Sequence, residues 1–253
     1  HLGNGYLKKL DNYSYMDIKK DNELNKIYNN TTSSDQTIFD AFNSFIFSKD
    51  KRIISKMMYR YELLQKVKHL PGDIVEIGVF KGSGIATWCK YCDMLIPNSN
   101  KKVIGFDIFG LNPSLFNTYK NGNTMIPVLK RVPPDDILIE SVRKRLLNAN
   151  IQQEKFILVE GDVCKTTKSF AKENPGFRIS LLYLDLDLDE PTYETLQNLW
   201  DRVVPGGYIV FDEYDYHYFD ESNGVDRFLK ERNLKYTVCS TNICCPSAYI
   251  VKE

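Results

Sequence analysis

The chain has 253 residues, 43% hydrophobic and 26% charged, which suits one large domain with an appendage and excludes a collagen-like, mucin-like or wholly disordered protein. Lys plus Arg equals Asp plus Glu at 33 each, so the basic excess of a protein that lives on a phosphate backbone is missing and nucleic acid is not the expected partner. No apolar run approaches the ~20 residues of a membrane span. The polar opening His1-Leu2-Gly3-Asn4-Gly5 carries no secretory leader pattern, so the expected location is cytoplasmic, and the missing initiator Met points to a trimmed end. The six cysteines, at 89, 92, 164, 239, 244 and 245, form no disulfide framework and are expected as reduced thiols. Trp88-Cys89-Lys90-Tyr91-Cys92 has the look of a thioredoxin site, but both thiols fall well inside an expected helix, so the spacing reads as coincidence.

Residues 1–70 are rich in Asn, Lys, Tyr and Asp and show no strand-like alternation. They are expected to form a helical N-terminal cap or oligomerisation region, which makes a homodimer the expected assembly. A polar loop, Asn29 to Gln36, precedes two helical stretches. The second, about Asp50 to His69, sets Ile53, Met57, Tyr61 and Leu64 on one helix face.

From Pro71 to the end the pattern alternates strand and helix. Apolar strands are predicted at Asp73–Ile77, Lys102–Ile108, Phe156–Glu160, Ser180–Asp185 and Tyr208–Asp212. Helices are predicted near Ser83–Cys92, Asp135–Asn148, Thr166–Glu173, Pro191–Arg202 and Ser222–Arg232. Continuous apolar strands separated by helices imply a parallel sheet covered on both faces. Two last runs, Tyr236–Cys239 and Ala248–Val251, read as a hairpin, which gives a doubly wound α/β fold with one antiparallel strand. The insertion 110–134, rich in Asn, Pro and aromatics, is long for a connection in such a fold and is a candidate substrate lid.

Ligands of an open parallel sheet bind beyond the carboxyl ends of its strands. Those ends carry Glu76, Asp107, Asp162, Asp185 and the pair Asp212-Glu213. In Glu76-Ile77-Gly78-Val79-Phe80-Lys81-Gly82-Ser83-Gly84 the glycines let backbone approach a ligand, with Gly78, Gly82 and Ser83 as contacts. The loop is neither a Walker loop nor G-x-G-x-x-G. Its acid disfavours a pyrophosphate and suits a cationic ligand such as S-adenosylmethionine. Asp107 is placed for ribose hydroxyls and Asp162 for an adenine amino group. Asp185, Asp187 and Asp189 alternate along one face of an extended segment. Asp185, Asp212 and Glu213 together could hold one hard divalent cation such as Mg²⁺. Such a cation would lower the pKa of a sugar hydroxyl and fix its oxygen toward a methyl group.

Three segments resemble the macrocin O-methyltransferase (TylF-like) family of class I S-adenosylmethionine-dependent methyltransferases. They are Pro71–Gly82, the acidic run Leu184-Asp185-Leu186-Asp187-Leu188-Asp189-Glu190-Pro191-Thr192, and Val204-Pro205-Gly206-Gly207-Tyr208-Ile209-Val210-Phe211-Asp212-Glu213-Tyr214. Gly224-Val225-Asp226-Arg227-Phe228 fits the helix that follows, and the likeness runs from about Arg52 to the C-terminus. The resemblance implies a Rossmann-like seven-stranded sheet in the order 3-2-1-4-5-7-6 with strand 7 antiparallel, and Mg²⁺ on Asp185, Asp212 and Glu213. It implies methyl transfer to a sugar hydroxyl, of a deoxysugar or heptose, for a glycan, capsule polysaccharide or natural product. The acceptor is then a small-molecule sugar, a nucleotide-sugar or a glycan precursor. It also implies a lid His as base, yet the chain's three His lie at 1, 69 and 217, outside the insertion. Asp187 and His217 are the candidate catalytic residues, with Asp135 and Asp136 at the lid's end as further possibilities or helix caps.

Two other classes compete. Asp185-Leu186-Asp187 is also the D-x-D of a metal-dependent nucleotide-sugar glycosyltransferase, which has no use for the Glu76 loop or the Asp212-Glu213 pair. A non-catalytic scaffold has no use for the acids at all. Within the methyltransferase reading the acceptor could instead be a catechol-like phenol or an amine.

Overall fold

The computed structural model describes residues 35–49 and 51–253. The other residues of the expected N-terminal region lie outside them. The chain forms two compact units, His1–Lys49 and Asp50–Glu253. In the first, helix α1 spans Asp35–Ile46, so the polar stretch ending at Gln36 already opens a helix. The second unit carries the sheet and its flanking helices.

Its elements run α2 (Arg52–Val67), β1 (Asp73–Ile77), α3 (Ser83–Leu95), β2 (Val103–Asp107), the short helices α4 (Pro113–Phe116) and α5 (Met125–Leu129), α6 (Ile139–Asn148), β3 (Phe156–Glu160), α7 (Val163–Glu173), β4 (Ile179–Leu184), α8 (Asp189–Leu199), β5 (Val203–Phe211), α9 (Glu221–Glu231), β6 (Cys239–Ser240) and β7 (Ala248–Val251). The seven strands pair in the order β3-β2-β1-β4-β5-β7-β6. β1 to β5 are parallel, and β7 runs antiparallel to both neighbours. All six residues of β4 are buried, as a central strand covered on both faces requires.

Alternation along the strands divides the core. Leu182 and Leu184 of β4 pack with Val225 and Phe228 of α9 and Leu196 and Leu199 of α8. Leu181 and Tyr183 face the other way, onto Leu63, Leu64 and Val67 of α2 and Ile85 and Trp88 of α3. The fold is therefore three layers, helices on either side of one sheet. Among the described residues no helix is long and apolar enough to cross a membrane. Cys89 and Cys92 are buried in the α3 layer, and burial raises both thiols, that of Cys92 to about 11, which leaves them as core residues rather than redox groups.

Three sequence expectations shift. β5 begins at Val203, because Pro205-Gly206-Gly207 forms a bulge inside the strand rather than a turn before it. β6 is only Cys239–Ser240, because Tyr236 packs edge-on against Trp200 instead of joining the ladder. The buried face of α2 is not the expected one. Ile53, Met57 and Tyr61 are exposed, whereas Arg60, Leu63, Leu64 and Val67 are buried. Helix α2 thus belongs to the sheet unit, which opens at Asp50 rather than at Pro71.

Arg60 enters the core because Glu76 is there to meet it. Its Nη2 donates to Glu76 Oε1 at 2.7 Å, and the guanidinium lies over the Trp88 and Tyr183 rings at 5.5 and 5.0 Å. Burial raises the Glu76 carboxyl to about 7 against the pull of Arg60. Arg60→Met strands that carboxyl and is expected to cost ~3–5 kcal/mol of stability in urea unfolding. Arg60→Met with Glu76→Gln recovers part of the loss; equal midpoints for wild type and Arg60→Met contradict the assignment.

Candidate active site

A cavity of about 310 Å³ opens beyond the carboxyl ends of the parallel strands. Of the strand-end acids, Asp107, Asp162 and Asp185 line it, together with Gly78, Asp187 and Lys56. At Gly78 the strand ends pass so closely that a Cβ would stand 2.0 Å from the Asp185 carbonyl oxygen, and its φ of +92° lies in the left-handed region.

Asp107 is spent on loop geometry. Its Oδ2 accepts from Val79 N and Phe80 N at 2.7 and 2.8 Å, and its Oδ1 from Phe109 N at 2.9 Å. It therefore fixes the β1–α3 loop along the cavity wall. Asp162 is the N-cap of α7 through Cys164 N at 3.0 Å, and also accepts from Tyr119 Oη at 2.6 Å. Burial pushes the Asp162 carboxyl up, but the bonds from Tyr119, Lys165 and Cys164 outweigh it and hold the group below its ordinary value.

Glu76, Gly82 and Ser83 do not line the cavity. Glu76 lies under the start of α3, where a Cβ on Gly84 would overlap its carboxylate, and its charge faces Arg60. Gly82 is the buried N-cap of α3 against Val142, and Ser83 is exposed. The glycine-rich loop thus reaches the cavity through Gly78 and Phe80 alone.

The insertion 110–134 covers the cavity with Leu115, Phe116, Met125 and Val128. It is tied down at Tyr119 to Asp162 and at Asn121, whose Nδ2 donates to Asp220 Oδ2 at 2.7 Å. At its end Asp136 pairs with Lys81 at 2.8 Å, anchoring the β1–α3 loop, while Asp135 is exposed in a 3₁₀ turn, so neither reaches the cavity.

The remaining acids gather at the ends of β4 and β5. Ligand oxygens of Asp185, Asp187 and Glu213 lie within 4.8 Å of one another. Asp212, fully buried, accepts from Tyr183 Oη through Oδ1, and its Oδ2 stands 2.6 Å from Lys56 Nζ. The same ammonium donates to Asp185 Oδ2 at 3.1 Å. Of the expected trio, Asp185 groups with Asp187 and Glu213, Asp212 groups with Glu213 and Cys245, and Lys56 stands between Asp185 and Asp212. Asp187 sits at φ +63°, a left-handed backbone held by its carbonyl accepting from Asp220 N at 3.1 Å. Glu221, fully buried, accepts from Glu213 N at 2.8 Å.

Burial and mutual repulsion raise the carboxyls of Asp185, Asp187, Glu213 and Glu221, that of Asp187 to about 7. Burial alone lowers the Lys56 ammonium, but Asp185, Asp212 and Glu213 together carry it above its ordinary value. Asp187 Oδ1, Glu213 Oε2 and Glu221 Oε1 are buried and make no hydrogen bond among the described residues. Oxygen donors left short of partners, with one ammonium among them, fit a hard divalent cation.

His217 is exposed on the loop after β5 and does not line the cavity, because Tyr216, Tyr218 and Phe219 pack on one another and leave it outside. Of the two candidate catalytic residues, Asp187 alone is at the cavity. Lys56, Arg60, Tyr119, Tyr183 and Glu221 were not singled out from the sequence. Lys56 and Arg60 were findable: with Leu63, Leu64 and Val67 they form an i, i+4, i+7, i+8, i+11 stripe, in which basic residues continue an apolar face.

The model of the macrocin-O-methyltransferase (TylF) family matches residues 54–246. The chain belongs to that family. It is 27% identical over 146 residues to the demethyldecarbamoylnovobiocin O-methyltransferase of Streptomyces niveus, covering 58% of this chain and 54% of that protein. It is 26% identical over 159 residues to the 8-demethyl-8-(2,3-dimethoxy-alpha-L-rhamnosyl)-tetracenomycin-C 4'-O-methyltransferase of Streptomyces olivaceus, covering 57% and 54%. The chain thus spans about half the length of the curated relatives it matches. The crystal structure of CalS11, a calicheamicin methyltransferase, shares the fold at a TM-score of 0.66 and 22% identity, over 94% of this chain and 93% of that one. Family membership leaves the nucleotide-sugar glycosyltransferase without support.

The two ties of the insertion have a measurable consequence. Tyr119→Phe and Asn121→Ala each remove a bond worth ~1 kcal/mol, so amides of 110–134 should exchange hydrogen about fivefold faster with no change in the sheet. Unchanged exchange in both variants means the segment is held by its apolar lining alone.

Proposed function

We propose that the chain transfers the methyl group of S-adenosylmethionine to a hydroxyl of a sugar-bearing small molecule, with Mg²⁺ in the carboxylate cluster. The observation that carries this reading is the cluster itself, buried acids rich in unsatisfied oxygen at the mouth of a strand-end cavity. An acid-rich site suits a cationic methyl donor and a divalent cation and disfavours a diphosphate. Family membership and the relatives' names support O-methylation, and one name specifies a position on a rhamnosyl group.

Asp185, Asp187 and Glu213 are the residues to hold the cation, which when bound supplies charge neutralisation and polarises the acceptor hydroxyl. S-adenosylmethionine supplies an electrophilic methyl on a sulfonium. The reaction class breaks an S–CH₃ bond, forms an O–CH₃ bond and releases one proton. Asp187 is the group to take that proton: it lines the cavity and keeps one oxygen unpartnered. Gly78 and the loop held by Asp107 shape the donor's wall. The apolar lid residues Leu115, Phe116 and Val128 keep water from the transfer.

Calorimetric titration tests this reading. S-adenosylhomocysteine is expected to bind in the micromolar range while UDP gives no heat; binding of UDP alone would overturn the proposal. On a sugar acceptor that the wild type turns over, Asp187→Asn should lower kcat by ~100-fold or more and leave S-adenosylhomocysteine affinity within about threefold. His217→Ala should change neither.

A further inference from the structure

Lys56 stands where the proposed cation needs its ligands. Its Nζ is 3.1 Å from Asp185 Oδ2 and 2.6 Å from Asp212 Oδ2. Asp185 also belongs to the cluster with Asp187 and Glu213. The helix that carries Lys56 is fixed by its buried residues Arg60, Leu63, Leu64 and Val67, so the ammonium moves on its own flexible stem rather than with the backbone. The other cation nearby, Arg60, is committed to Glu76. Lys56 also lines the cavity, which gives its side chain a place to go.

One carboxylate oxygen cannot keep an ammonium and a divalent cation side by side without strong repulsion between the two positive charges. We infer that Lys56 is an intramolecular competitor for the divalent cation: it is the counter-ion of Asp185 and Asp212 in the metal-free chain, and metal binding turns it out toward the cavity. The inference rests on the proposed metal site. It assigns Lys56 two effects of opposite sign. The ammonium keeps the metal-free cluster of acids folded, and it weakens the affinity for metal, since the cation must first displace it. Coupling of this kind is reciprocal, so what the metal does to Lys56, Lys56 does to the metal.

The test titrates Mn²⁺ calorimetrically into the full chain, as wild type, Lys56→Met and Lys56→Arg. Lys56→Met, which removes the charge at similar volume, is expected to bind Mn²⁺ about tenfold more tightly. Lys56→Arg keeps a competing charge and should stay within about threefold of wild type. Without metal, Lys56→Met should melt about 4 °C or more below wild type, and saturating Mn²⁺ should close that gap. In the wild type, acetylation of Lys56 by acetic anhydride, read by mass spectrometry, should rise when Mn²⁺ is added. Equal or weaker Mn²⁺ affinity in Lys56→Met, with wild type binding, overturns the competition and leaves the metal site standing. No Mn²⁺ binding by any of the three overturns both. Acetylation that does not change with Mn²⁺ overturns the displacement.

Discussion

Asp185, Asp187, Asp212, Glu213 and Glu221 crowd together at the ends of β4 and β5, where the ammonium of Lys56 pairs with Asp185 and Asp212, and the rest of the site is built around that imbalance. The sheet brings Asp185 and Asp212 there, while the loop after β4 brings Asp187 and helix α9 brings Glu221. The amide of Asp185 continues the ladder onto Ile77 and that of Asp212 onto Leu184, so two neighbouring strands deliver their acids to one point. Like charges so placed repel, and burial adds to the cost. Such an arrangement is stable only where protons, hydrogen-bond donors or a cation answer it. Tyr183 and Lys56 answer part of it at Asp212, and the amide of Glu213 answers part at Glu221. Asp187 Oδ1, Glu213 Oε2 and Glu221 Oε1 are still without a hydrogen-bond partner among the described residues.

The rest of the cavity follows from the same frame. Asp107 spends its oxygens on three backbone amides and so holds the β1–α3 loop open along the wall. The insertion between β2 and α6 closes over it through Tyr119 and Asn121, two side chains that reach acids on different elements. Apolar residues of the insertion and the acids Asp107, Asp162, Asp185 and Asp187 line the same cavity. That is an arrangement in which charge on a small substrate is read while water is kept away.

Much of this was legible in the residues. The parallel strands announced themselves as continuous apolar runs, and their terminal acids marked the cavity because open α/β sheets bind ligands at that edge. What was misread has physical causes. The buried stripe of α2 contains Lys56 and Arg60, and periodicity counted on apolar residues alone picked Ile53, Met57 and Tyr61 instead. Glu76 looks like a ligand contact by its spacing, yet its partner is Arg60, on the preceding helix α2. Glu221 reads as an ordinary acid in the first turn of a helix, and only the return of α9 beneath the end of β5 buries it beside Glu213. His217 was attractive as the sole His near a motif, but side chains of one loop can pack on themselves and leave a neighbour in solvent.

The central claim is that the carboxylate cluster is a cation site completed by Asp187, with Asp212 held by Tyr183 and, until metal binds, by Lys56. Crystals of the full chain grown with Mn²⁺ and measured by anomalous scattering test it most directly. The account predicts one anomalous peak among Asp185, Asp187 and Glu213. A peak elsewhere, or none at saturating Mn²⁺ with Lys56 still between Asp185 and Asp212, would contradict it.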